Sequence, residues 1–207
     1  MRILSVNIPV HDASVALLDD NNIICLEEER HTRIRSYIDY HRNMITFPTF
    51  SFRHLQSIEN LSNDTIDYIA SCNNNISDFI RDIYGVDIDK SKCIKVDHHL
   101  AHAATAYYWS GFEEDTLVVV LDGGADNNMT GRFYVAKGGN LHEVHNLSGD
   151  YVSFGGYYIL LTEFLGFKRA KDEGKIVGMS SHGGYDDFLY SFFNDILKVD
   201  EQSLLTS

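Results

Sequence analysis

No apolar run in this 207-residue chain approaches the roughly 20 residues that a membrane-spanning helix needs. Ile3–Leu4, Leu117–Leu121 and Tyr157–Leu161 are all far shorter. The opening Met-Arg-Ile-Leu-Ser-Val-Asn has neither the apolar core nor the small-residue cleavage site of a secretory signal. Basic residues are scarce too. Against 30 Asp and Glu stand 17 Lys and Arg, and the net charge of −13 argues against a broad nucleic-acid footprint. A local basic groove is still allowed, at Arg30, Arg33 and Arg35 with Arg42 behind them. Cysteine is limited to Cys25, Cys72 and Cys93, odd in number, widely spaced, and each in or beside an apolar strand-like run, so buried free thiols are expected. These absences describe a cytoplasmic globular protein with no membrane partner. Its 44% hydrophobic content suffices for one substantial core or two small ones.

The pattern of what is present is α/β. Arg2–Ile8 reads as a buried strand, Pro9–Ala13 as a turn, Ser14–Asp19 as a second strand, and Asp-Asn-Asn as a hairpin into Ile23–Glu28. Glu27-Glu-Glu-Arg-His-Thr-Arg33 follows, a mixed charge run that on its own predicts a solvated face. Thr32–Phe47 has no firm period. Thr49–Leu61 predicts a helix whose apolar positions are Phe50, Leu55, Ile58 and Leu61. Strand Thr65–Cys72, a helix over Ile76–Ile83 stopped by Gly85, strand Cys93–Val96 and helix Leu100–Trp109 come next.

The opening order then recurs. Thr116–Leu121 is a strand ending in an acidic, Gly-rich turn, Met129–Lys137 is a second, Gly-Gly-Asn is a hairpin, and Leu141–Leu147 is a third. Helices are predicted over Tyr157–Phe167, Asp172–Met179 and Asp186–Leu197. A duplicated three-strand meander followed by helices implies two related lobes, residues 1–113 and 114–207, each presenting an acidic turn to a cleft that would hold a nucleotide. By analogy with the first lobe, the second is two strands and a helix short.

Three groups of residues carry candidate chemistry. His98 and His102 are one helical turn apart, so both imidazoles can face one point. Ten histidines in 207 residues supply about half of one such pair by chance, and His99 with His102 is an alternative pairing. Asp122, at the end of a buried strand, adds a carboxylate, and imidazole plus carboxylate is a usual ligand set for iron(II), zinc or manganese. Gly123, Gly124 and Asp126 form a turn whose backbone amides can meet phosphate. Lys175 and Gly178, in Glu173-Gly-Lys-Ile-Val-Gly178, offer a cation and an accessible backbone.

Taken together, His11-Asp-Ala-Ser14, Glu27-Glu-Glu-Arg-His-Thr-Arg33, His98-His-Leu-Ala-His-Ala-Ala104, Leu121-Asp-Gly-Gly and Glu173-Gly-Lys-Ile-Val-Gly-Met179 resemble, in order and spacing, the nodulation-type and antibiotic-tailoring O-carbamoyltransferases. The resemblance implies an ASKHA-type fold, the paired ribonuclease-H-like lobes of actin and sugar kinases, with the second lobe incomplete. It implies that a YrdC-like domain, absent from these residues, makes carbamoyl adenylate from carbamoyl phosphate and ATP, and that the ASKHA-type domain passes the carbamoyl group to a substrate hydroxyl beside a bound metal, commonly iron. His98, His102 and Asp122 would be metal ligands, and His11 would lie near the transferred group as general base or carbonyl polariser, with Asp12 orienting it. Lys175 would neutralise phosphate.

Two positions depart from the family pattern: Ala125 stands where a glycine is usual, and Ser180-Ser-His-Gly183 replaces Ala-Pro-Tyr-Gly. The expected acceptor is a small hydroxyl compound such as a sugar, antibiotic or nucleotide. A fourth metal ligand and a C-terminal complement or partner chain are expected to be needed for activity. The competing readings are a non-catalytic metal- and nucleotide-binding module and a threonylcarbamoyl-type tRNA-modifying relative; the acidic charge and the His11-Asp12 pair count against the second.

Overall fold

The computed structural model describes residues 1–8, 12–20, 22–34, 47–122, 129–148, 153–169 and 171–196. His11, Gly123, Gly124 and Asp126, together with Arg35 and Arg42, lie outside the described residues. Two units are distinguished, Met1–Asp97 and His98–Ser207. The helix that begins at His98 therefore belongs with the second unit, whereas the sequence places it at the end of the first.

In the first unit, β1 (Arg2–Asn7), β2 (Ser14–Asp19) and β3 (Asn22–Glu27) form an antiparallel meander, and β4 (Tyr68–Ser71) and β5 (Cys93–Lys95) add parallel strands beyond β1. The order β3-β2-β1-β4-β5 is that of a ribonuclease-H-like lobe, as the ASKHA expectation requires. Alternation sends Leu4, Val6, Val15 and Leu17 to one face, where they pack with Phe52, Leu55, Ile69 and Ile80. Asn73 extends the pairing past the end of β1: its amide oxygen accepts from Ile8 N at 3.1 Å, and its amide nitrogen donates to Ile8 O at 3.0 Å.

Two expectations about α1 (Glu28–Thr32) and α2 (Thr49–Ile58) are corrected. The acidic run is not wholly solvated, because Glu28 is fully buried and its two carboxylate oxygens accept from Phe50 N and Ser51 N at 2.9 and 2.8 Å. Those amides are unsatisfied donors of the first turn of α2, where a carboxylate is also favoured by the helix dipole. The inward face of α2 is Ser51, Phe52 and Leu55, whereas Phe50 and Ile58 are exposed. Phe52 stacks on Tyr84 with 3.9 Å between ring centroids. Tyr84 ends a single π-helical turn, Ile80–Tyr84, that follows the short α3 (Ile76–Phe79), and Gly85 closes it at φ +71°. The cysteines form no disulfide with one another, but Cys25 is exposed and Cys72 and Cys93 are only partly buried, because their runs lie at or near strand ends or an outer strand.

The second unit opens with α4 (His98–Ser110), followed by β6 (Thr116–Leu121), β7 (Met129–Lys137) and β8 (Asn140–Ser148) in an antiparallel meander. The duplication of the opening three strands is therefore present. Gly138 and Gly139 turn β7 into β8 with φ of +55° and +78°, a pair of left-handed conformations that glycine adopts without strain. Gly131 is required by proximity: a Cβ there would stand 2.9 Å from Val120 O on the paired strand. Val118 and Val120 turn inward onto Ala103, Tyr107, Tyr134 and Ala136, while Leu117, Val119 and Leu121 are exposed. Among the described residues β6 pairs only with β7. Helices α5 (Phe154–Phe164), α6 (Glu173–Ser180) and α7 (Asp187–Ile196) complete the unit. No helix among the described residues is long and apolar enough to cross a membrane.

Candidate metal centre

Two periodicities meet at one point. On α4, His99, Ala103 and Tyr107 recur every fourth residue and form the buried stripe. His98 and His102 each precede a member of that stripe, so they share the adjoining, more exposed face. On β6 the inward residues are Val118 and Val120, and Asp122 continues that alternation one step past the strand. Its amide still donates to Thr130 O at 2.8 Å, which extends the β6–β7 ladder to the carboxylate itself.

The result is a triangle of donor atoms. His98 Nε2 lies 2.8 Å from Asp122 Oδ2 and 3.2 Å from His102 Nε2, and His102 Nε2 is 3.8 Å from the same carboxylate oxygen. Ligands about 2.1 Å from one ion stand about 3.0–3.4 Å apart, a range that the three separations bracket. The donor set, two imidazole nitrogens and one carboxylate oxygen, suits a divalent transition metal. Side-chain exposures of 41%, 55% and 30% for His98, His102 and Asp122 leave the cluster open on one side, as a site that also admits water or substrate oxygens must be. His99 is buried and stands outside the cluster, so the geometry selects His98 over His99 as the partner of His102.

The remaining candidate residues are placed separately. Asp12 is exposed and left-handed at φ +58°, and its carbonyl accepts from Asn7 Nδ2 at 3.2 Å. Arg30 pairs with Glu27 at 2.9 Å, and Arg33 caps α1 in a left-handed conformation. Lys175 donates to Asp172 at 2.8 Å, and its ammonium stands 5.7 Å from the centroid of the Phe167 ring. That ion pair, followed by a hydrogen bond from Lys168 N, holds the Asp172 carboxyl below its ordinary value. Gly178 lies within α6, and nothing stands within 4 Å of where its side chain would be.

One residue at the cluster has no counterpart in the sequence reading. Ser153 is buried, and its hydroxyl donates to Asp122 O at 3.0 Å while accepting from Gly156 N at 2.9 Å as the N-cap of α5. The signal was available, since serine directly before an apolar helical run is a preferred cap. The expected helix starts at Tyr157, beyond Gly155 and Gly156, which have low helix propensity.

Residues 73–203 match the family model described as carbamoyltransferase N-terminus, a span that includes His98, His102, Asp122 and Lys175. The chain belongs to the carbamoyltransferase family. Among curated proteins, an uncharacterised protein of Methanocaldococcus jannaschii is 30% identical over 187 residues, covering 86% of this chain and 33% of that one. The nodulation protein NolNO of Sinorhizobium fredii is 26% identical over 201 residues, covering 84% of this chain and 28% of that protein. The chain thus spans about a third or less of the length of these relatives. Among solved structures, YeaZ from Pseudomonas aeruginosa has a TM-score of 0.41 at 15% identity, covering 70% of this chain and 64% of that one. A Ppx/GppA phosphatase of Aquifex aeolicus has a TM-score of 0.41 at 13% identity, covering 96% of this chain and 64% of that one.

Proposed function

We propose that this chain is the amino-terminal part of an O-carbamoyltransferase that moves a carbamoyl group from carbamoyl adenylate to a hydroxyl of a sugar, antibiotic or nucleotide. Carbamoyl adenylate would be made from carbamoyl phosphate and ATP by a YrdC-like domain. The observation that carries this reading is the convergence of His98, His102 and Asp122 inside the span matched by the family model. These three residues would hold a divalent metal, with iron(II) favoured and zinc or manganese as alternatives. When bound, the metal supplies positive charge beside the phosphate of the leaving adenylate.

The chain's own residues do the rest. The acceptor oxygen forms a bond to the carbamoyl carbon, the bond from that carbon to the phosphate oxygen breaks, and AMP departs with the electron pair. His11 takes the hydroxyl proton, and Asp12 orients the imidazole or the acceptor. Gly123, Gly124 and Asp126 present backbone to the nucleotide phosphates, with Gly178 giving close access and Lys175 adding charge after exchanging its pairing with Asp172. The exposed Leu117, Val119 and Leu121, on a strand paired along one edge among the described residues, suit cover by further chain or a partner polypeptide.

The test follows label from [14C]carbamoyl phosphate, with ATP, into a panel of hydroxyl acceptors, using the anaerobically iron-loaded chain with a carbamoyl-adenylate-forming domain. Label in an acceptor that is lost on His11→Ala and on Asp122→Asn supports the reading. Label that stays in carbamoyl phosphate across the panel, together with no ATP or ADP binding, contradicts it.

A further inference from the structure

The metal reading leaves open what fixes Asp122. His98 and His102 are set by a helix, whereas Asp122 is one residue beyond the last residue of β6. Its amide is held by Thr130 O at 2.8 Å, and its carbonyl is held by the Ser153 hydroxyl at 3.0 Å. The peptide unit before Asp122 is thus held through its N–H and the one after it through its C=O, which leaves little freedom about the Asp122 Cα and fixes the direction of its side chain. Ser153 is 5% exposed and is itself oriented, because its oxygen accepts from Gly156 N at 2.9 Å and its carbonyl accepts from Tyr157 N at 3.0 Å. Gly156 makes that approach possible: a Cβ there would stand 3.2 and 3.3 Å from Ser153 Cβ and Oγ.

We propose that Ser153 is a positioning residue, whose hydroxyl ties the first turn of α5 to the Asp122 carbonyl and so sets the Asp122 carboxylate against His98 and His102. The inference rests on the metal reading for its consequence, but its geometry is visible without metal, as the 2.8 Å contact between Asp122 Oδ2 and His98 Nε2. A hydroxyl is the group this task needs, since it both accepts from the helix amide and donates to the carbonyl. Partners behind the ligands of this kind typically change metal affinity about 10–100-fold when removed.

The test separates positioning from capping. Glycine is nearly as good an N-cap as serine, so Ser153→Gly removes the hydroxyl while leaving the helix start nearly as well capped. Ser153→Thr keeps the hydroxyl. Two readouts are taken on the full chain: anaerobic Co2+ titration followed by its visible absorption, and the 15N resonances of the His98 imidazole in metal-free protein, at one pH above the histidine range. The expected result for Ser153→Gly is about a tenfold loss of Co2+ affinity and an altered absorption band, together with movement of the His98 Nε2 signal away from its hydrogen-bonded position. Ser153→Thr restores both. Unchanged affinity and an unmoved imidazole signal in Ser153→Gly overturn the inference while leaving the metal reading intact, and so does a fall in melting temperature with neither readout altered. If wild-type protein binds no Co2+ but the imidazole signal moves in Ser153→Gly, the metal reading fails and the positioning of Asp122 by Ser153 stands.

Discussion

Glu28 is fully buried in the first unit, and both of its oxygens are used by the amides that open α2. Removing the carboxylate strands one buried and one part-buried donor, so Glu28→Ala should lower unfolding stability by about 2–4 kcal/mol, read as a shift of the urea midpoint at unchanged slope. Glu28→Gln keeps one acceptor and turns a donor toward a donor, and should cost about 1–3 kcal/mol. A midpoint unchanged in both variants would show that the first turn of α2 finds other acceptors. Asp172 belongs to the same scale. Its carboxyl is depressed by the Lys175 ammonium and then by Lys168 N, so the stabilisation it gives is full above its unfolded value near 3.8 and is lost as pH falls through the lower folded value. Acid titration of α6 should therefore flatten in Asp172→Asn, and an unaltered acid limb would contradict the pairing. Residue types at the cluster were legible from sequence, since the spacing of His98 and His102 and the strand-end position of Asp122 marked them as candidate ligands. The choice between His98 and His99 was not, because that depends on which side of α4 meets β6. Nor was the burial of Glu28, because a carboxylate in a charge run signals solvent until the amides of α2, more than twenty residues later, are seen to meet it.

Elements were read well where period and packing agreed. Strands β1, β2, β6 and β7 fall within a residue of expectation because each is a short β-prone run bounded by turn residues. Helix α2 starts where expected at Thr49 but ends at Ile58 rather than Leu61, and of its expected apolar positions Leu55 and Leu61 are buried while Phe50 and Ile58 are exposed. Its sequence, Thr-Phe-Ser-Phe-Arg-His-Leu-Gln-Ser-Ile, offers two overlapping apolar stripes, and the Tyr84 ring, supplied by a distant π-helical turn, selects Phe52. Phe52→Ala should cost about 3–5 kcal/mol through the cavity it leaves, whereas Phe50→Ala should stay within about 0.5 kcal/mol. Equal losses in chemical denaturation would mean that the exposed stripe is packed in solution. Helix α5 starts three residues earlier than its sequence suggested, because the Ser153 cap outweighs the low propensity of the two glycines that follow.

Across the whole molecule the two units differ in how much they bury. The first encloses Leu4, Val6, Val15, Leu17, Phe52, Leu55, Ile69 and Ile80 between a five-stranded sheet and its helices. In the second, Val118 and Val120 share a smaller core with Ala103, Tyr107, Tyr134 and Ala136, while Phe188, Phe192 and Phe193 of α7 are exposed. Hydrogen exchange of the full chain should find the slowest amides in β1 and β2, and faster exchange in β6 and α7. Protection in β6 and α7 equal to that in β1 would contradict this ranking. The duplicated meander was legible as a repeat of strands and turns. The unequal burial was not, because sequence shows which residues are apolar but not which of them find partners.

The central claim is that His98, His102 and Asp122 form a metal site in a carbamoyltransferase-family chain. Anaerobic reconstitution with Fe2+, followed by desalting and metal analysis, tests it most directly on wild-type, His98→Ala and Asp122→Ala proteins. The account predicts about one equivalent of iron in the wild type and its loss in both variants. Equal iron in all three proteins, or none in the wild type, would contradict it.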